Sequence, residues 1–237
     1  MHRCRAILLI ACIFAALAAC HGTKANAGPQ PIACTLVLLK TAPVTVPMTK
    51  DESGKIFAGH FANMERLAKA GWLLVAGPFG ARRTDPALRG LFVIDAEDRG
   101  RATELAESDP SVQAGVFSLE YHDLVTSSPL RVYLAAELAK REAAEREGKK
   151  PQPGEGGRGY VLLTATNGDA AERALAHQPM TLLFARLDGS QALVLLDARD
   201  EAVAKALLAP LAARLGPYKL DEWFSSGGLA DLKLLRP

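Results

Sequence analysis

Ala106-Glu107-Ser108-Asp109-Pro110-Ser111-Val112-Gln113-Ala114-Gly115-Val116-Phe117 decides the reading of the fold. Ala106 and Glu107 end an Ala/Glu-rich helix. Asp109-Pro110 makes a turn, since a residue before proline is pushed out of the α region. Val116-Phe117 then opens an apolar strand that runs to Leu124. Side chains alternate along a strand, so Phe117, Leu119 and Tyr121 share one face and Val116, Ser118, Glu120 and His122 the other.

Outward from this stretch the same logic finds three more strands and one more helix. Thr35 to Lys40 is continuously apolar and β-rich, a strand buried on both faces. Residues 41–52, with Pro43 and Pro47, read as loop. A helix runs from an N-cap at Ser53 to a C-cap at Gly71. Ile56, Phe57, Phe61, Met64, Leu67 and Ala68 form its apolar stripe. His60 stands four residues from both Ile56 and Met64, so it faces inward or sits at the stripe's edge. Trp72 to Ala76 and Leu91 to Ala96 are strands, separated by a polar loop, residues 80–90, that holds Arg82, Arg83 and Arg89. Glu97 to Glu107 is the second helix. The order is β-α-β-β-α-β, the ferredoxin-like split motif. Its helices cover one sheet face. The apolar set of the last strand is expected on the helices, and the mixed set in a cavity between this sheet and a partner sheet.

A second copy follows. Pro129 to Glu147 reads as a helix, and Lys149 to Gly159, rich in Pro and Gly, as a linker. Tyr160–Thr166, Thr181–Leu187, Gln191–Asp197 and Tyr218–Phe224 read as strands. Asp188-Gly189 marks a hairpin between the middle two. Asp169–His177 and Glu201–Leu215 read as helices. The recurrence of one order is an internal repeat. Alignment of the strands puts Asp169 near the place of His60, and Ala209-Pro210 at that of Asp109-Pro110. The second copy therefore reads as a structural partner.

The beginning of the chain reads as an address. His2, Arg3 and Arg5 precede an apolar run, Ala6 to Leu17, that is too short to span a bilayer. Leu17-Ala18-Ala19-Cys20 resembles a bacterial lipoprotein box, with Cys20 as the lipidated residue; the alternative is an ordinary signal peptide. His21 after the cysteine resembles the outer-membrane sorting pattern, so the expected place is the periplasmic face of the envelope, held by lipid. Residues 21–33 read as a flexible tether. Cys34 is then the remaining thiol, expected to be a small buried hydrophobe without a disulfide.

Composition excludes little else. The 237 residues are 49% hydrophobic and 23% charged with a net charge of +2, which argues against a nucleic-acid surface. The histidines lack ligand spacing, so no metal is expected. There is no phosphate-cradling glycine loop and no nucleophile elbow, and no cofactor is expected. His122-Asp123 points its side chains to opposite strand faces and cannot act as one dyad. The loop arginines could draw an anionic substrate, or be solvated loop charges.

His60-Phe61-Ala62-Asn63-Met64-Glu65-Arg66-Leu67, Gly71-Trp72-Leu73-Leu74-Val75-Ala76-Gly77-Pro78 and the Asp109-Pro110 stretch together resemble the YciI-like (YCII-related) family. The resemblance implies a small α+β domain whose presumed active site holds His60 and Asp109 in one cleft. It also implies that Gly77-Pro78 lets backbone approach that cavity. Since the family occurs as single and duplicated domains, the expected architecture is α+β, with two ferredoxin-like β-α-β-β-α-β repeats packed sheet face to sheet face as an intramolecular dimeric α+β barrel. The divisions are a lipoprotein signal peptide (1–19), a tether (20–33), a YCII-like domain (34–126), a helix and Gly/Pro linker (127–159) and a degenerate second YCII-like domain (160–237).

A dehydrochlorinase within the wider family suggests a lyase or isomerase that moves a proton through His60, oriented by Asp109. Imidazole is suited to this at neutral pH. The alternatives are a small-ligand-binding lipoprotein without turnover and a structural envelope protein. An open polar cavity lined by His60 would favour the first two. A cavity filled by Trp72, Phe79 and Phe184 would favour the third.

Overall fold

The computed structural model describes residues 30–44, 47–149 and 155–235. The expected signal peptide, Cys20, the tether up to residue 29 and residues 150–154 of the linker lie outside the described residues. Among the described residues no helix is long and apolar enough to cross a membrane.

The first half opens with β1 (Ile32–Thr41), buried on both faces. Helix α1 (Lys50–Lys69) starts a turn earlier than Ser53. Thr49 and Glu52 form a reciprocal capping box there, which satisfies the backbone amides of both residues. β2 (Leu73–Pro78) and β3 (Leu88–Ile94) follow. Then α2 (Arg99–Glu107) begins on an Asp98 cap. The Asp-Pro turn proves to be a short helix, α3 (Pro110–Gln113), with Asp109 as its N-cap and proline at the first helical position, where its missing N–H costs nothing. β4 (Phe117–Thr126) completes this half.

α4 (Leu130–Arg146) leads to β5 (Gly157–Ala165), α5 (Gly168–Leu175), β6 (Thr181–Leu187) and β7 (Gln191–Leu196). The single helix expected over 201–215 is broken at Pro210 into α6 (Glu201–Leu208), a 3₁₀ turn and α7 (Ala212–Leu215), as proline inside a helix removes a hydrogen bond and clashes with the preceding turn. β8 (Tyr218–Ser226) precedes a 3₁₀ segment, Gly227–Leu234, that carries no sequence signal.

All strands join one eight-stranded antiparallel sheet in the order β2-β3-β1-β4-β6-β7-β5-β8. The halves meet at strand edges as well as across their inner faces. β4 pairs with β6 at Leu124–Leu187, Val125–Arg186 and Thr126–Ala185. At the outer edges Phe79 bridges Trp223, the Gly80 N–H donates to the Glu222 carbonyl, and the Glu222 N–H to that of Arg82. The sheet thus curls into a nearly closed barrel.

The inside of this barrel is filled, which corrects the expected cavity between the sheets. Leu36, Leu91 and Val93 meet Leu162, Leu195 and Trp223 there. Leu130 and Tyr133 of α4 and Leu229 and Leu232 of the 3₁₀ segment plug it. Each half has a second core on its helix side. Val37, Leu67, Phe92, Leu105 and the partly buried Phe117, Leu119 and Tyr121 form the first, so the apolar face of β4 packs on the helices as its alternation requires. Trp72 belongs to this helix-side core, and Phe184 to its counterpart in the second half. Of the three expected fillers only Phe79 borders the interior.

Candidate functional site

His60 and Asp109 meet on the helix side of the first half, away from the barrel interior. Gly59 makes this possible. α1 crosses α3 so closely that a Cβ at Gly59 would stand 3.0 Å from Pro110 Cγ. The next residue, His60, then reaches the cap of α3.

Asp109 is fully buried, and each of its oxygens is engaged. Oδ1 accepts the Ser111 N–H at 2.9 Å, the ordinary cap bond, and the Ser111 hydroxyl. Oδ2 lies 2.8 Å from His60 Nδ1. An ionised carboxylate only accepts, so Nδ1 carries the hydrogen and donates. In a neutral ring this makes Nε2 the bare, basic nitrogen. Burial pushes the Asp109 carboxyl up, but hydrogen bonds from His60 and Ser111 outweigh it and hold the group below its usual value. Asp109 therefore stays a carboxylate at neutral pH.

Aromatic rings fix the imidazole's plane. Phe92 stacks on it at 6.0 Å, and Phe57, Phe61 and Phe117 meet it edge-on at 5.4–6.2 Å. The side chain keeps 11% of its surface exposed. Among the described residues Nε2 has no hydrogen-bond partner, and it is not one of the sealed orphan atoms, which are Asn63 Nδ2, Arg83 Nε, Tyr121 OH and Thr181 Oγ1. One turn on, Asn63 Oδ1 accepts from Arg66 and Ser108, tying α1 to the residue before Asp109. The arrangement sets the ring's orientation and gives Nδ1 a buried carboxylate acceptor.

Ser111, Asn63, Ser108 and the aromatic ring set escape sequence reasoning as site residues. Ser111 carries a local signal, since a residue two after an Asx cap offers its N–H to it. Phe57 and Phe61 flank His60 at helical spacing. Phe92 and Phe117 come from distant strands and have no such mark.

The other candidates lie elsewhere. Arg83 donates to the Gly80 carbonyl and Arg89 to that of Pro86, so these arginines stitch their own loop. Gly77 faces the barrel's closing seam, with its carbonyl taking the Trp223 indole N–H at 2.9 Å. His122 and Asp123 point to opposite faces, His122 toward Glu120 and Asp188 and Asp123 toward Arg99. Cys34 is buried, and burial with the nearby Asp95 pushes its thiol up to about 12, which excludes a thiolate nucleophile. Among the described residues no group of His, Cys, Asp and Glu could hold a metal ion.

Residues 34–122 match the family model of the YCII-related domain. The match includes both His60 and Asp109 and stops before the end of β4. No curated protein and no solved structure matches the chain.

Proposed function

We propose that the YCII-related domain at residues 34–122 is the working half of a duplicated protein, and that it moves a proton on a small molecule through His60. One observation carries this reading: a fully buried Asp109 carboxylate holds His60 Nδ1 at 2.8 Å and leaves Nε2 unpartnered. Nε2 takes a proton from a substrate carbon. Asp109 stabilises the resulting imidazolium, as the third member of a catalytic triad does, without itself becoming protonated. In an isomerisation the ring returns the proton to another carbon of the same molecule. In an elimination the C–H electron pair becomes the new double bond, and the leaving group departs with its own pair.

The finer architecture is two ferredoxin-like repeats. The order β2-β3-β1-β4 recurs as β6-β7-β5-β8, which supports this, and so does an irregularity at matching places, between Leu73 and Val75 and between Thr181 and Leu183. On that register Gly168, one residue from Asp169, stands where His60 does. Leu211, the residue before α7, stands where Asp109 does, rather than Ala209. Neither can exchange a proton, so the second repeat supports the barrel and contributes no acid–base pair. The Leu17-Ala18-Ala19-Cys20 box makes the protein a lipid-anchored envelope protein, with the barrel on the periplasmic side.

The tight aromatic setting of His60 favours one second reading, a structural His–Asp pair without turnover. A small-molecule thermal-shift screen on the protein, followed by turnover assays on the hits, separates the two. His60→Gln and Asp109→Ala should each lower turnover by about 10²–10⁴-fold. The double variant should lose little more than either alone, because the pair acts as a unit. Turnover unchanged in His60→Gln would sink the catalytic reading.

A further inference from the structure

A second histidine is held between carboxylates at the mouth of the barrel. His122 Nδ1 lies 2.6 Å from Asp188 Oδ2, and Nε2 lies 2.9 Å from Glu120 Oε1. Glu120 also takes Lys40 Nζ at 2.8 Å, and Lys40 reaches Asp85 at 2.9 Å. Lys219 on β8 adds its positive field to Asp85. On the outer face Asp123 is paired with Arg99, and Arg186 with Asp169 and Glu172. The groups that face the ring are thus Glu120 from β4, Lys40 from β1 behind it, and Asp188 from the β6–β7 turn.

Both carboxylates only accept hydrogen bonds, and a neutral imidazole has one N–H to give. Both ring nitrogens can donate at once only in the imidazolium. Its place is the seam between the halves. Strand pairing of β4 with β6 ends at Leu124–Leu187. Beyond it Asp188 takes over: its N–H donates to the Asp123 carbonyl at 2.9 Å, and its Oδ1 accepts the Asp123 N–H at 2.9 Å. Asp188 adopts φ +47°, a conformation that aspartate tolerates better than most residues, and this turns its carboxylate back onto β4. The opposite seam, between β2 and β8, is closed by the Phe79–Trp223 bridge and by Asp221, whose carboxylate accepts from Thr84, and has no histidine among the described residues.

We propose that His122 is a proton-operated latch between the two halves. Charged, it bridges Glu120 and Asp188 and closes the β4–β6 seam. Neutral, it loses both ion pairs and keeps a hydrogen bond to only one of the two carboxylates, and that seam loosens while the β2–β8 seam holds.

Native-state hydrogen exchange on the full chain tests this. Protection of the Asp123 and Asp188 amides, corrected for intrinsic rates, should fall about tenfold, the scale of one hydrogen bond to a charged group, as pH rises between about 5 and 8. The amides of β5 and β7 should keep theirs. In His122→Gln the seam protection should be low and independent of pH. Nitrogen NMR of histidine-labelled protein should find both His122 ring nitrogens protonated at the low end. A flat wild-type profile, a response that survives in His122→Gln, or a singly protonated ring at about pH 5 overturns the latch. If His122→Gln does not fold, Asp188→Asn replaces it. That change keeps a residue tolerant of positive φ and removes the anion, and it should flatten the profile in the same way.

Discussion

Trp223 Nε1 donates to the Gly77 carbonyl at 2.9 Å, a bond between residues 146 positions apart. It closes the barrel, and it needs the bare backbone of Gly77. A Cβ there would fall 1.9 Å from the Phe224 carbonyl oxygen and 2.9 Å from the indole ring. Gly77→Ala should therefore cost about 1–3 kcal/mol or more, as overpacking does, measured by denaturant unfolding. Gly54→Ala is the control. It lies in α1 with nothing within 4 Å of the added carbon, and should stabilise by about 0.5–1 kcal/mol. Equal effects at the two glycines would refute a tight seam.

That seam marks the limit of what the sequence makes legible. The strands are readable because β1, β3 and β5 are apolar on both faces, which few other structures demand. The apolar side of β4 is readable from simple alternation. His60 and Asp109 are legible as candidates only through a family resemblance, since a histidine on a helix stripe and an Asp-Pro turn are ordinary alone. Their contact depends on Gly59 sliding under Pro110, a tertiary event with no local signature. The filled barrel is illegible for the same reason. Leu229 and Leu232 sit in a segment without helical or strand period, yet they plug the interior. Ser53 and Thr49 are both good caps, and only the reciprocal bond from Glu52 decides between them.

The Asp109 carboxyl is held below its usual value, so its contribution to stability has a defined sign. The ionised form is favoured in the folded state. Its contribution is therefore fully present above the unfolded-state value, about 3.9, and is lost as pH falls through the lower folded-state value. Asp109→Asn keeps a good N-cap but removes the charge opposite His60. It should cost about 1–3 kcal/mol near neutral pH, the scale of hydrogen bonds to a charged group. The gap from wild type should shrink as the medium is acidified below about pH 4. Unfolding curves at neutral and acidic pH check this, and a gap that stays constant would rule it out.

Cys34 should be inert in the folded protein. Its thiol is buried and pushed up to about 12, and only the thiolate reacts. Alkylation at mildly alkaline pH, followed by peptide mapping, should find Cys34 unmodified in the native state and fully modified in denaturant. Native labelling at the rate of an exposed thiol would contradict the burial.

The filled interior predicts the energetics of α4. Leu130 is fully buried in the barrel core, while Val132, two residues on, is 56% exposed. Leu130→Ala removes methylene groups from a packed interior that combines both halves and α4, and should cost about 2–5 kcal/mol. Val132→Ala should change stability by less than about 0.5 kcal/mol, as surface substitutions do. Leu229→Ala, at the 3₁₀ plug in the same core, should fall in the Leu130 range. Its loss should not add simply to that of Leu130→Ala if the two side chains share one cavity, because neighbours in a core are coupled. Chemical denaturation of the three single variants and the double variant measures all four values. A Leu130→Ala cost as small as that of Val132→Ala would mean that the barrel is open in solution, and the cavity between the sheets would then return as the place to look for a ligand.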